Sequence, residues 1–314
     1  MTALICGSLA YDTIMVFPDR FKEHILPDKV HMLNVAFLVP EMRREFGGVA
    51  GNIVYNLKLL GSTTYPMATV GEDFGPYKKR LEKLQIPLDY VQVIEDQFTP
   101  QAFITTDLDD NQITAFHPGA MMFSTRNQIL EASEDIKLGL VGPDSREGMI
   151  QHSLQFAQRG IPHIFDLGQA MPLFQGEDLR DFIDRASWVI VNDYEAEIMQ
   201  ERTGWSATEI ASHLEAYIVT HGSRGSSIYT TEACTKVSTP RVENVVDPTG
   251  CGDAYRAGLI HGLLNDMDLP TACRIGSLMG SIKISHQGPQ NHEFTKAEFE
   301  QMFKQEYGYD LSLP

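Results

Sequence analysis

Asn244–Leu264 reads NVVDPTGCGDAYRAGLIHGLL, and at its centre Gly250, a small Cys251 and Gly252 stand immediately before Asp253 and an apolar helical pattern. A tight turn needs fewer special residues, and a helix cap needs only the aspartate. A helix N-terminus presents free backbone N–H groups and about half a unit of positive charge from aligned peptide dipoles. Glycines let a ligand come close to the backbone, so Thr249 to Gly252 suit phosphate oxygens or a developing anion. An acid beside a phosphate that is merely held would repel it. Beside a hydroxyl that must lose its proton while attacking phosphorus, Asp253 reads as a general base, help worth roughly 10²–10⁴ in rate. On this stretch alone a plain reading stays open: an aspartate capping a helix after a glycine turn.

Working outward, the chain alternates short apolar runs with helical periodicity. ALICGS, YPMATV, IKLGLVG, PHIFD, WVIVN and AYIVTHG read as strands, and ENVV is read as a further strand before Asp247. GGVAGNIVYNLKLLG, Phe74 to Leu84, Glu147 to Gln158, DYEAEIMQERTG, Gly252 to Leu264, Thr271 to Ile284 and Thr295 to Phe303 read as helices. QAFITTDLDDNQITAF reads as a hairpin, and Pro18 to Arg44, with NVAFLV between two prolines, as strands added to the main sheet or a flap. Repeated strand–helix units predict one α/β domain over 1–314, with a mostly parallel, Rossmann-like central sheet and helices on both faces. Ligands in such sheets bind outside the carboxyl ends of the strands. Asp12, Asn192, Gly222 and Asp247, each read as following a strand, are expected to face one side together.

Composition limits the partners. In 314 residues, 43% hydrophobic and 21% charged, there is enough apolar material for a large core, as in soluble globular proteins. A net charge of −17 argues against nucleic acid, whose phosphates are met by Lys and Arg. The four cysteines show neither C-x-x-C pairing nor zinc spacing, and the ten histidines show no metal spacing. The opening MTALICGSLAYD does not read as a signal peptide and no run approaches a membrane span, so a cytoplasmic protein is expected. There is no G-x-x-x-x-G-K-[ST], and Asp73-Phe74-Gly75 lacks every companion motif of a protein kinase. The Rossmann dinucleotide fingerprint is also missing.

GGVAGNIVYNLKLLG near the start, NDYEAE and VTHGSRGS in the middle and DPTGCGDAYRAGLIHGLL near the end stand in one order. With these four motifs the chain resembles the ribokinase, or PfkB, family of sugar and nucleoside kinases over nearly its whole length, most closely the nucleoside kinase branch. The resemblance implies a ribokinase-like fold with a small β-sheet lid. It implies ATP as phosphate donor, magnesium, and a monovalent cation such as K⁺. Asp253 would be the catalytic base, and Gly250, Cys251 and Gly252 would form the anion hole. Asp247 and Thr249 would position the triphosphate or the nearby monovalent cation, and Asn192 and Glu195 would organise magnesium. Thr220, Gly222 and Gly225 would line the nucleotide site, with Ser281, His286 and Gly288 closing around its base. Asp12, Gly47, Gly48 and Asn52 would bind the acceptor's sugar hydroxyls.

Elementary chemistry agrees with this division of labour. Phosphoryl transfer depends on alignment and charge neutralisation. Magnesium prefers oxygen ligands and keeps waters, which suits a sparse Asn/Glu arrangement. A carboxylate such as Asp12 can accept from two adjacent hydroxyls, and an amide such as Asn52 can both donate and accept. The lid is expected from insertions at about 13–46 and 101–122. In relatives such segments cover the acceptor and can pair two subunits as a homodimer. Their apolar content, with Phe103, Ile113, Phe116 and Met121, suits a flat heterocycle, and Gln169 is a candidate for a base edge. The expected acceptor is the 5′-hydroxyl of a purine ribonucleoside such as adenosine, with a ribose- or fructose-type sugar as the alternative. Three departures stand out. Cys251 replaces a common alanine, is small enough to keep the backbone cradle and reads as a packing thiol, with sensitivity to thiol reagents a consequence of the helix N-terminus. Arg256, just past the base, is read as a phosphate contact or a surface residue. Lys283 falls where small residues are common around the cation loop.

Overall fold

The computed structural model describes residues 2–25, 35–109 and 111–313. The strands are β1 Thr2–Cys6, β2 Ala10–Val16, β3 Glu41–Gly47, β4 Thr64–Val70, β5 Tyr90–Val93, β6 Gln101–Thr106, β7 Gln112–His117, β8 Ile136–Val141, β9 His163–Asp166, β10 Trp188–Asn192, β11 Ala216–Thr220, β12 Ser226–Tyr229 and β13 Cys234–Val237. The α-helices are α1 Phe21–His24, α2 Val49–Leu59, α3 Gly75–Lys83, α4 Arg146–Gln158, α5 Gly176–Arg185, α6 Asp193–Thr203, α7 Ala207–Ser212, α8 Cys251–Leu264, α9 Leu269–Ile284 and α10 Lys296–Tyr307. None of the described helices is long and apolar enough to cross a membrane.

Nine strands form the main sheet in the order β13-β12-β11-β10-β9-β8-β1-β4-β5. From β11 to β5 every pairing is parallel, and β12 and β13 add an antiparallel edge. β1 shows why the parallel strands read as unbroken apolar runs. Ala3 and Ile5 enter the core on one face, beneath α2 and α8, while Leu4 and Cys6 enter the core on the other. A strand covered on both sides has no polar face to alternate with.

A second sheet runs β3-β2-β6-β7, with β2 and β6 parallel and its outer pairs antiparallel. β3, which begins within Pro18 to Arg44, belongs to this sheet and not to the main one, because its backbone pairs with β2. Two readings need correcting. Residues 35–39 of NVAFLV carry no strand, and Asn34, like His31 and Asp110, lies outside the described residues. ENVV is not a strand either: Val245 and Val246 are 67% and 54% exposed, because the chain here crosses the surface from β13 to α8 and its backbone is tied to the end of α9, Val246 N to Ile284 O at 2.8 Å, instead of to a strand. Asp247 therefore enters the site from a loop, and Asp12 enters from within β2 instead of from a turn.

Candidate active site

Gly250 adopts the left-handed conformation (φ 80°, ψ 4°) as the N-cap of α8, and a Cβ there would come within 2.7 Å of Pro289 Cβ. Any L side chain would be strained on both counts. Cys251 is the exception among the expected anion donors: its N–H is turned to the Pro248 carbonyl at 3.2 Å, so the cradle falls to Gly250 and Gly252. Its thiol is also not activated. Burial first, then the charges of Asp247 and Asp253, outweigh Lys283 and push it up to about 11.

Asp253, in the first turn of α8, accepts a hydrogen bond from Asn52 Nδ2 at 2.7 Å. Its pKa is raised to about 6, chiefly by burial, with Arg256 and Asn52 pulling the other way and Asp166 adding to the rise. Asp12 is raised to about 6 as well, by burial and then by the charges of Asp253, Glu45 and Asp247. The two carboxylates, 241 positions apart in sequence, are thus close enough for their charges to act on one another. Gly47 makes room for this arrangement, since a Cβ on it would stand 2.6 Å from Asp12 Oδ2. Gly48 (φ 85°) caps α2 where a side chain would run into the Ser8 carbonyl.

Asn52 is 5% exposed and both ends of its amide are engaged inside the protein. Its Oδ1 accepts from Gln290 Nε2 at 3.1 Å, Gln290 Nε2 also donates to Tyr77 OH at 2.6 Å, and Tyr77 OH donates to the Gly47 carbonyl at 2.9 Å. Asn52 thus holds the Asp253 carboxylate, and its amide keeps a second N–H and a second lone pair beyond these bonds. Tyr77 and Gln290, which complete this chain of bonds, carry no sequence signal of their own.

Asn192 ends β10 and caps α6. Its side chain accepts from Glu195 N, and Glu195 Oε2 accepts from Asn192 N, both at 2.8 Å. A carboxylate has about four lone-pair sites, so Glu195 keeps capacity to hold waters of a hydrated cation. Its pKa is raised by burial and then by Asp166. Asp166, at the carboxyl end of β9 and 1% exposed, forms an ion pair with Arg256, whose Nη2 lies 2.6 Å from Asp166 Oδ1. Arg256, 7% exposed, is therefore not a surface residue; its Nη1 lies beside Gly252, where an added Cβ would stand 2.7 Å from it, so the guanidinium keeps donors at the helix start. Asp166, Glu195, Arg256 and Asp253 are coupled through their charges. Asp166 was legible only as the end of a strand.

Asp247 fastens the loop before α8. Its carboxylate accepts from Thr249 N and Gly288 N, each at 2.8 Å. These bonds outweigh burial and hold its pKa below the ordinary value. Thr249 itself is exposed. Thr220 ends β11, Gly222 and Gly225 bound the short turn that follows, and His221 N donates to the Gly225 carbonyl at 2.7 Å. Ser281 turns its hydroxyl back to Leu278 O at 2.9 Å, and His286 is exposed with Nδ1 2.9 Å from Ile282 O. Gln169 is exposed on the turn after β9.

Register in the small sheet divides the expected apolar slot. Asp12 pairs with Ala102 and Glu45, and Ala102 pairs with Phe116, so Phe116 shares Asp12's face. Phe103 pairs with Thr13 and Ala115, and Ile113 with Thr105, which puts both on the opposite face. The period of two, invisible to composition, makes the correction: Ile14 and Ile104, and not Phe103 and Ile113, accompany Phe116. Ile14, Val16, Pro40, Glu41 and Arg43 border a hollow on this sheet.

A helix start suited to an anion, a raised carboxylate in its first turn and a second carboxylate coupled to it by charge fit a phosphotransferase with an alcohol group as acceptor. The pfkB family carbohydrate kinase pattern matches residues 8–296, and the chain belongs to that family. Burkholderia thailandensis nucleoside kinase, solved in complex with inosine, is 51% identical, with a TM-score of 0.89 over 98% of this chain and 99% of that one. The same kinase has been solved in complex with ADP-inosine. The nucleoside kinase of Methanocaldococcus jannaschii is 29% identical over 82% of this chain and 85% of its own length.

Proposed function

We propose that the protein transfers the γ-phosphoryl group of ATP to the 5′-hydroxyl of a purine ribonucleoside. The observation that carries this reading is the chain of bonds between the two carboxylates: Asn52 donates to Asp253 at 2.7 Å, Gln290 joins Asn52 to Tyr77, and Tyr77 donates to the carbonyl of Gly47, where an added Cβ would stand 2.6 Å from Asp12 Oδ2. The similarity to a kinase solved with inosine supports a purine nucleoside as acceptor.

Asp253 takes the proton of the attacking hydroxyl, held in place by Asn52. The amides of Gly250 and Gly252 stabilise charge on the transferring group, where preorganised donors act most strongly. Magnesium fits as a water-bridged ion near Glu195, with Asn192 fixing the Glu195 carboxylate; when bound it neutralises phosphate charge. Thr220, Gly222, Gly225, His286 and Gly288 border the nucleotide. The small sheet covers the acceptor as a lid, with Phe116, Ile14 and Ile104 towards the base. All four cysteines are free, which suits the cytoplasm.

A turnover panel of adenosine, inosine, guanosine, cytidine, ribose and fructose 6-phosphate with ATP and magnesium tests the proposal. Phosphorylation of a sugar and of no nucleoside would replace it with the sugar kinase reading. Within the nucleosides, loss of the 2′-hydroxyl should leave Asp12 without a partner and lower kcat/KM by roughly 10²-fold or more. Equal use of adenosine and 2′-deoxyadenosine would remove Asp12 from the diol.

A further inference from the structure

The resemblance implied a monovalent cation beside Asp247 and Thr249, and the residues present do not fit one. The loop before α8 and the loop after α9 meet there, joined by bonds from Val246 N and Asp247 N to the Ile284 carbonyl at 2.8 and 3.1 Å and from Gly288 N to Asp247 Oδ2. Between them the carbonyl oxygens of Asp247 and His286 converge on one point. Converging backbone carbonyls are how proteins replace the hydration shell of a monovalent cation. Here the point is filled by Lys283 Nζ, 2.6 Å from Asp247 O and 3.0 Å from His286 O.

Lys283 is completely buried at the end of α9. Lysines are almost never so placed unless paired, and the hydrogen-bond partners of this ammonium are two neutral carbonyls. Its charge nevertheless reaches the anion-binding turn, drawing down the pKa values of both Asp247 and Cys251. An ammonium offers three N–H donors and a full positive charge, the two things a bound monovalent ion would bring to these carbonyls.

We infer that Lys283 is a built-in cation that braces the α8 and α9 loops, so that this kinase works without an added monovalent ion. It is a positioning residue: it acts on the phosphate cradle through the Asp247 loop. The inference deepens the proposed kinase activity and rests on it.

The test is phosphorylation of inosine with ATP and magnesium at constant ionic strength, with KCl replacing choline chloride stepwise. Wild type should change by less than about twofold, because the carbonyl site is already filled. Lys283→Ala should lose roughly tenfold to a hundredfold in kcat in choline chloride and recover much of it in KCl or ammonium chloride. Melting temperature supplies a second readout: KCl should raise that of Lys283→Ala and leave wild type unmoved. A wild type activated about tenfold or more by K⁺ overturns the inference, as does a Lys283→Ala variant that keeps its rate in choline or loses it without rescue. If the variant does not fold, the wild-type K⁺ titration decides alone. No turnover of any nucleoside, even in KCl, would instead count against the kinase reading, and the wild-type melting curves would still judge the cation site.

Discussion

Asn52 Nδ2 donates to Asp253 Oδ2 at 2.7 Å, tying the first turn of α2 to the first turn of α8 across 201 positions of sequence. The bond favours the charged form of a carboxylate that burial has raised to about 6. The acid limb of kcat/KM should therefore fall near pH 6 in wild type. Asn52→Ala should move that limb upward and lower kcat. It should also cost about 1–3 kcal/mol in stability, since buried Gln290 Nε2 loses an acceptor. A limb that stays put in the variant would separate Asn52 from the base.

Asp253→Asn should lose roughly 10²–10⁴ in kcat while still binding nucleoside. Its stability has a definite sign. The folded pKa of about 6 lies above the ordinary 3.8, so the folded state holds a proton that the unfolded chain has released between those values. The resulting stabilisation is fully present below 3.8 and is lost as pH rises through 6. At pH 7.5 the carboxylate is a net cost, and the variant should melt at or above wild type. A wild-type rate in Asp253→Asn would falsify the assignment of the base.

Arg256→Met should be strongly destabilising. It strands Asp166, 1% exposed, as an uncompensated buried charge, and breaking such a pair costs about 3–5 kcal/mol. Adding Asp166→Asn should recover part of the loss, because the penalty lies in the orphaned charge. Urea denaturation of the single and double variants measures it, and equal stabilities would show that the pair is screened.

Cys251 should be slow to alkylate. Its thiol stands at about 11, while Cys234 is exposed at the sheet edge. Iodoacetamide at pH 7.5, followed by mass spectrometry, should label Cys234 first. Early labelling of Cys251 with loss of activity would show a thiolate that burial does not suppress.

The primary structure was sufficient for what is local. Strands buried on both faces announce themselves as unbroken apolar runs, and α8 begins where a glycine-rich turn meets an apolar period of 3.6. Local patterning also led to its own errors. ENVV has the composition of a strand but bonds to the end of a helix instead of to a strand, and Phe103 and Phe116 are alike in composition yet fall on opposite faces because strand side chains alternate.

What the sequence by itself determined was the order of the elements, the helix start that can cradle an anion and the acid beside it, because each depends on residues a few positions apart. Only the tertiary structure decided what surrounds that acid: Asn52 as its support, Asp166 as the partner that buries Arg256, and Lys283 between the carbonyls of Asp247 and His286. Hydrogen bonds and charges act over a few ångströms of space, and chain folding, not separation along the sequence, sets which groups come that close.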